Sequence, residues 1–175
     1  MRRNLSIILL VLFVLEGSIF PWLIPGSWQD MVRFAPHLAF VVIIYIAIFL
    51  NRYYALTFGL LFGALHDIIY YNHMLGIYTF CMGVTAYIAG FMFRGGVNGI
   101  AQAMIIIIWF NFLLDSMIYG IYMLFSKTTL EYSWVFMHMI LPSLFINALF
   151  ALMIYIPLRR YLEGRSVSGM DDDAA

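Results

Sequence analysis

Six apolar runs, separated by short polar or glycine-rich connections, constrain the fold of this chain more than any other feature. A membrane-spanning helix needs about 20 apolar residues to cross about 30 Å of hydrocarbon. The 175 residues therefore provide six such helices and exclude a separate soluble domain. We predict an all-α membrane protein, a six-transmembrane-helix bundle, with helices at about 5–24, 34–50, 54–71, 74–93, 103–124 and 134–158.

The composition agrees with a lipid environment. Apolar residues make up 65% of the chain and charged residues 10%. A soluble domain carries about 45–50% apolar residues and about 25% charged residues. The formal net charge is zero, and the sequence has no basic block outside its short ends, which argues against a nucleic-acid partner. Because Cys81 is the only cysteine, an intrachain disulfide and a thiolate metal cluster are excluded.

The two ends of the chain need separate interpretation. The first apolar run follows Arg2 and Arg3, as in a secretory signal, but Glu16 interrupts it and no A-x-A-like cleavage site follows. We therefore expect a retained helix. Residues 1–165 form the predicted single transmembrane domain, and 166–175, with its acidic end, is predicted to be a disordered cytoplasmic tail.

The distribution of basic residues predicts the orientation. Cytoplasmic connections of membrane proteins are enriched in Lys and Arg. With both ends in the cytoplasm, the outer side holds only Arg33 and Lys127. The cytoplasmic side then holds Arg2, Arg3, Arg52, Arg94, Arg159, Arg160 and Arg165. This excess predicts that both ends of the chain lie in the cytoplasm.

Three acidic residues, Glu16, Asp67 and Asp115, lie inside apolar runs. A charged side chain at the bilayer centre costs about 2.5–3.5 kcal/mol or more. All three lie at or past the midpoint of helices that run from inside to outside, so they can meet in the outer half. With no Lys or Arg at that depth, we expect them to be protonated, hydrogen-bonded or open to a wet cavity.

Further polar residues lie at similar depth or on the same helix faces. Asn111, Asp115 and Tyr119 recur every four residues and form one stripe on the fifth helix, which should face protein. His66 precedes Asp67, and His138 lies near the outer end of the sixth helix. The predicted intramembrane polar cluster comprises Glu16, His66, Asp67, Asn111, Asp115, Tyr119 and His138.

Three interpretations of this cluster remain open. Its members can be interhelical hydrogen-bonding groups that hold the bundle together. They can line a docking surface or pocket for another membrane component. They can also form a proton or ion pathway, although the sequence has no visible inverted repeat of the transporter kind.

The sequence has no recognisable catalytic or metal-binding motif. The spacing of His37, His66, His73 and His138 does not match a motif such as H-E-x-x-H, so no metal and no cofactor are predicted. A G-x-S-x-G nucleophile elbow is absent from the sequence, and the Gly-rich loop at 94–99 has neither P-loop spacing nor Lys. We therefore expect a non-enzymatic protein.

Gly59, Gly63 and Asp67 follow one another at intervals of four on the third helix, where small residues allow close approach of a neighbouring backbone. Together with Gly76 and then Tyr78 and Tyr87, this pattern resembles the rod shape-determining protein MreD family. The six-run layout, the acid in the fifth run and the chain length also resemble that family, so the resemblance covers nearly the whole chain. The residues predicted for partner binding or helix packing are Gly59, Gly63, Asp67, Gly76 and Tyr87.

The resemblance implies a multi-pass protein of the bacterial plasma (inner) membrane that serves the elongation machinery of the lateral wall. Its implied partners are the single-span protein MreC and, directly or indirectly, the actin-like MreB filament and the wall-synthase enzymes. The implied fold is similar to the substrate-binding component of energy-coupling factor transporters.

Two other functions compete with this one. The first is a substrate-binding membrane component of a vitamin or small-molecule transporter, although the first run lacks the A-x-x-x-A face that such components usually carry. The second is an ion- or proton-coupled carrier that uses Glu16, Asp67 and Asp115.

Overall fold

The computed structural model describes residues 2–23, 36–69, 74–93, 97 and 99–172. In the first helix it describes side chains only for residues 4–18, and in the last helix only up to residue 162. All regular structure in these ranges is helical. The first five helices are α1 (Arg2–Leu23), α2 (Leu38–Phe49), α3 (Arg52–Ile69), α4 (Ile77–Met92) and α5 (Ile100–Leu124).

The last helical run differs from the others because its backbone widens. It begins with α6 (Tyr132–Val135), continues through a π-helical turn (Phe136–Ile140) and ends with α7 (Leu141–Asp172). Pro142 explains the π turn, since proline has no N–H and its ring collides with the carbonyl four residues earlier in a regular helix. The helix ends at Asp172 rather than near Leu158, and the disorder of 166–175 stays a prediction.

Helix α2 forms the centre of the bundle. It contacts α1, α3, α4, α5 and α7, and every residue from Leu38 to Ile48 is buried. Since its sequence is apolar on all sides, it can be surrounded by other helices without leaving a polar group unpaired. The two neighbouring helices α3 and α4 form an antiparallel hairpin that packs against it.

Two helical runs are long and apolar enough to cross a membrane, Ile100–Leu124 and Tyr132–Leu162. Shorter apolar helices are Asn4–Ser18, Leu38–Phe49 and Ile77–Met92. The all-helical prediction is confirmed for the described residues, while six membrane crossings stay a prediction. The predicted helix ends at 24, 34 and 71 lie outside the described residues.

Candidate functional site

The two glycines of α3 bring α4 unusually close. A Cβ atom at Gly59 would lie 2.8 Å from the carbonyl oxygen of Met82, and one at Gly63 would lie 2.6 Å from the Cα atom of Thr79. Side chains larger than hydrogen therefore cannot fit at either position without moving the α4 backbone. This glycine face is already occupied by α4 of the same chain, so the two residues pack helices within the bundle.

Asp67, one helical turn after Gly63, caps the start of α4. Its Oδ1 accepts a hydrogen bond from the backbone N–H of Tyr78 at 3.1 Å. Its Oδ2 accepts one from the N–H of Thr79 at 2.9 Å and one from the Thr79 hydroxyl at 2.7 Å. The first N–H groups of a helix have no partner within that helix, and they carry partial positive charge, which favours a carboxylate.

Gly76 makes this cap possible from the α4 side. It precedes Ile77 with a φ of 98°, a left-handed conformation that glycine adopts without strain. The left-handed turn immediately precedes the N–H groups of Tyr78 and Thr79 that bind Asp67.

Tyr87 lies towards the opposite end of the same hairpin. The guanidinium carbon of Arg52 is 5.5 Å from the centre of the Tyr87 ring and 4.8 Å from that of the Tyr53 ring, within the range of cation–π attraction. Tyr87 is partly exposed, and it belongs to an arginine–aromatic group distant in sequence from Asp67.

Glu16 of α1 lies between two histidines. Its Oε1 is 3.2 Å from Nε2 of His66 on α3 and 3.7 Å from Nδ1 of His37, which directly precedes α2. Nε2 of His37 is in turn 3.1 Å from Oδ1 of Asp115 on α5. These four residues, here called the histidine–carboxylate cluster, join four helical segments. Glu16, His37 and His66 are buried.

Aromatic rings enclose part of this cluster. The His66 ring stacks on the Tyr78 ring at a centroid distance of 5.2 Å, and it meets the Phe13 ring edge-on at 5.0 Å. Tyr78 also lies 6.0 Å from the His37 ring. Because the backbone N–H of Tyr78 binds Asp67, this tyrosine connects the helix cap with the histidine–carboxylate cluster.

A chain of amide hydrogen bonds holds His37 from the other side. The backbone N–H of His37 donates to Oδ1 of Asn147 on α7 at 3.0 Å. Nδ2 of Asn147 donates to Oδ1 of Asn111 on α5 at 3.1 Å, and Nδ2 of Asn111 donates to the carbonyl of Ile107 at 2.8 Å. Both asparagines are buried. Their amide groups pair with each other and with the backbone, as buried polar groups usually do.

A cavity of about 460 Å³ reaches the cluster from the connection between α5 and α6. His37, Tyr78 and Asp115 lie on its wall, together with Thr128 and Leu130 of the exposed connection. The cavity therefore gives a small solute or water a route to His37 and Asp115.

The structure thus brings together some predicted polar residues and separates others. Glu16, His66 and Asp115 meet through His37. Asp67 lies beside them at the α4 cap, and Asn111 lies beneath Asp115 in the amide chain.

Tyr119 and His138 make their hydrogen bonds outside the histidine–carboxylate cluster, and Tyr119 lies on the wall of the cavity that reaches it. The Tyr119 hydroxyl donates to the carbonyl of Leu130 at 2.8 Å. His138 is 2.9 Å from the carbonyl of Trp134 through Nδ1, and its ring stacks on that indole.

Two residues central to the site were missed by the sequence prediction of the polar cluster, His37 and Asn147. His37 precedes an entirely apolar helix, and Asn147 stands alone in an apolar run. A polar residue isolated in such a run was the available signal for both, since such a residue needs a protein partner.

Chemically, the cluster pairs two carboxyl groups with two imidazoles in a mostly buried environment. Groups of this kind can share protons, hold helices together or bind a cation. Among the described residues, Asp67 at the nearby cap binds two backbone N–H groups and one hydroxyl, an arrangement that fixes the start of α4.

Comparison with known proteins places the chain in a family. The family model for rod shape-determining protein MreD matches residues 1–165. The rod shape-determining protein MreD of Bacillus subtilis (strain 168) is 27% identical over 163 residues, which cover 92% of this chain and 94% of that protein. No solved structure matches the chain. Since the family model covers the helical bundle from its first helix into its last, the chain belongs to the MreD family of rod shape-determining membrane proteins.

Proposed function

We propose that this chain is a non-enzymatic scaffold of the bacterial cell-elongation machinery, which maintains rod shape during lateral wall synthesis. The observation that carries the proposal is the family match over residues 1–165. This membership favours shape determination over vitamin transport. The proposed location is the bacterial plasma membrane.

The proposed topology has six membrane crossings with both ends in the cytoplasm. The excess of arginines on one side supports it, as do the two long apolar runs. The shorter α2 agrees with this topology because other helices, rather than lipid, surround it. Labelling of single cysteines with an impermeant reagent in whole cells tests it. Lys127→Cys should react and Asn51→Cys should not, and reaction of both would contradict the topology.

The proposed partner is a single-span MreC-like protein, with the MreB filament and wall-synthase enzymes bound directly or indirectly. Transmembrane helices associate by close van der Waals packing on exposed surfaces. Because Gly59 and Gly63 already pack against α4, the partner must use another surface. Exposed apolar side chains on three different helices mark candidate surfaces, Leu10 on α1, Leu61 on α3 and Phe145 on α7.

Site-specific photo-crosslinking tests this proposal. A photoreactive amino acid is placed at Leu10, Leu61 or Phe145 in rod-shaped cells whose own MreD protein has been depleted. We expect each variant to restore rod shape, and one surface to crosslink to the single-span partner. Cells without the partner are the control for specificity. Failure to restore rod shape by the unmodified chain, together with no crosslink at any position, would contradict the proposal.

A further inference from the structure

Three potential metal-ligand atoms converge where α1, α2 and α3 meet. One ligand atom each from Glu16, His37 and His66 lies within 4.8 Å of the other two, and the atoms that approach Oε1 of Glu16 are Nδ1 of His37 and Nε2 of His66. Each comes from a different helical segment, and all three residues are buried. Histidine spacing along one helix, on which the prediction of no metal rested, cannot reveal a site assembled in this way.

The two distances from Glu16 are close to those between ligands of one metal ion. Metal–ligand distances of about 2.0–2.1 Å at tetrahedral angles place neighbouring ligand atoms about 3.3 Å apart. The observed separations from Oε1 of Glu16 are 3.2 Å to His66 and 3.7 Å to His37. Both imidazole nitrogens approach the same carboxylate oxygen, while the other oxygen faces the backbone N–H of Ala39 at 3.4 Å.

Asp115 gives a second, independent argument through the His37 ring. Nε2 of His37 lies 3.1 Å from Oδ1 of Asp115, within hydrogen-bond distance. Nδ1 faces Glu16, and it has no hydrogen-bond partner among the described residues. Nδ1 and the Glu16 carboxylate lie 3.7 Å apart, and either a proton or a metal ion between them can hold the two together. A carboxylate on the outer nitrogen of a metal-binding histidine is the usual way to fix its orientation.

We propose that Glu16, His37 and His66 bind a divalent transition-metal ion, with Zn²⁺ as the fitting occupant, and that Asp115 positions His37. Two imidazoles and one carboxylate select Zn²⁺ and its neighbours over Mg²⁺ and Ca²⁺, which take oxygen ligands. With neutral histidines, the two charges of the ion balance those of Glu16 and Asp115, so the buried site carries no net charge.

The cavity beside His37 supplies the route by which the ion enters. Ligands from α1, α2 and α3 make the ion a clamp that ties α1 to the centre of the bundle. This inference concerns the chain alone and does not depend on the proposed scaffold function.

Metal analysis of the full-length chain tests the proposal. The protein is purified in detergent with a tag that contains no histidines, incubated with Zn²⁺, and dialysed. We expect the unmodified chain to retain one zinc ion and to bind Co²⁺ with the visible absorption of a nitrogen- and oxygen-ligated ion. Zinc should raise the apparent Tm by about 5 °C or more at saturation, and a chelator should reverse the shift.

Four variants locate the ion. Glu16→Gln, His37→Gln and His66→Gln keep hydrogen-bonding capacity but remove a strong ligand, so each should lose the retained zinc and the Tm shift. Asp115→Asn should weaken zinc affinity about 10- to 100-fold while keeping the Co²⁺ spectrum. His138→Gln changes a histidine outside the cluster and should behave as the unmodified chain does.

Two results would overturn the proposal. One is an unmodified chain that retains no zinc and shows no Tm shift, in which case the cluster only shares protons. The other is zinc retention that the three Gln variants leave unchanged, which would place the ion elsewhere. Because the first readout uses the unmodified chain, misfolding of a variant cannot hide a negative result.

Discussion

Asp67 and Glu16 each carry a carboxyl group that is buried in the bundle, but the two carboxyl groups bind different kinds of partner. Asp67 binds the backbone and one hydroxyl at the start of the next helix in the chain. Glu16 faces two imidazoles from α3 and from the residue preceding α2. The first arrangement is local to one hairpin, whereas the second exists only when several helices have assembled.

The contacts of Asp67 therefore form one hairpin, whereas the contacts of Glu16 hold assembled helices together. The Asp67 cap and the glycine contacts of α3 specify how one hairpin closes, so their loss should affect whether the chain folds. The histidine–carboxylate cluster specifies how that hairpin meets α1 and α5. Its loss should therefore affect the stability of an otherwise correctly folded bundle.

The largest effect on folding is expected from Gly63→Leu. A Cβ atom added at this position would lie 2.6 Å from backbone atoms of Thr79 and Tyr78. A leucine side chain would therefore push α3 and α4 apart. We expect loss of folded, monodisperse protein in size-exclusion chromatography. Gly120→Leu is the matched control, because a Cβ atom there meets no neighbour within 4 Å. Equal recovery of both variants would show that the hairpin does not depend on this contact.

The next effect is expected from Asp67→Ala. It leaves the N–H groups of Tyr78 and Thr79 without their acceptor, and each unpaired buried donor costs about 1–3 kcal/mol. The apparent Tm in detergent should fall clearly. Asp67→Asn should recover part of the loss, since its amide oxygen still accepts one bond. Identical Tm values for the Ala and Asn variants would contradict a capping role.

A smaller loss is expected from Asn147→Ala, which removes the acceptor for the backbone N–H of His37. One buried donor is left unpaired, at a cost of about 1–3 kcal/mol, and Oδ1 of Asn111 loses the donor that Asn147 supplied. Thermal unfolding should place this variant between Asp67→Ala and the unmodified chain. A Tm below that of Asp67→Ala would reverse the proposed order of the two regions.

Glu16→Gln, measured in a zinc-free buffer with chelator, should cost less still. The amide can exchange hydrogen bonds with His37 and His66, and the change removes a buried charge. We expect an apparent stability within about 1 kcal/mol of the unmodified chain. A loss as large as that of Asp67→Ala would show that the negative charge of Glu16 is essential without metal.

The smallest effect is expected from His138→Ala. This ring stacks on Trp134 within its own helix and is partly exposed. Changes at such positions usually alter stability by about 0.5 kcal/mol or less. A larger fall in Tm would assign His138 a role in the bundle that its described contacts do not indicate.

The local region was the more predictable from sequence. The spacing of Gly59, Gly63 and Asp67 predicts one small-residue face on a helix. This relation spans few residues, so helical periodicity alone determines it. The stripe through Asn111 and Asp115 was likewise predicted to face protein. Gly76 was named only through the resemblance to the MreD family, since the apolar run predicted a helix from about 74, and the helix begins at Ile77.

The assembled region was less predictable for a physical reason. His37, Asn147 and Glu16 are separated by many residues, and the rotation of each helix about its axis decides whether they meet. Helix α2 is apolar on all sides, so its sequence has no periodicity from which that rotation can be read. The meeting of Glu16, His37 and His66 therefore depends on the tertiary packing of the helices and not on the sequence of any one of them.

The length of α2 has a consequence for how lipid meets this protein. Its 12 residues rise about 18 Å at 1.5 Å per residue, well short of the roughly 30 Å thickness of hydrocarbon. In the proposed membrane topology, the neighbouring helices bury α2 from Leu38 to Ile48, so its short length imposes no bilayer thinning. The buried pair of His37 and Glu16 lies at the start of this short helix, so in that topology ionisable groups occupy a position that a longer apolar helix would fill.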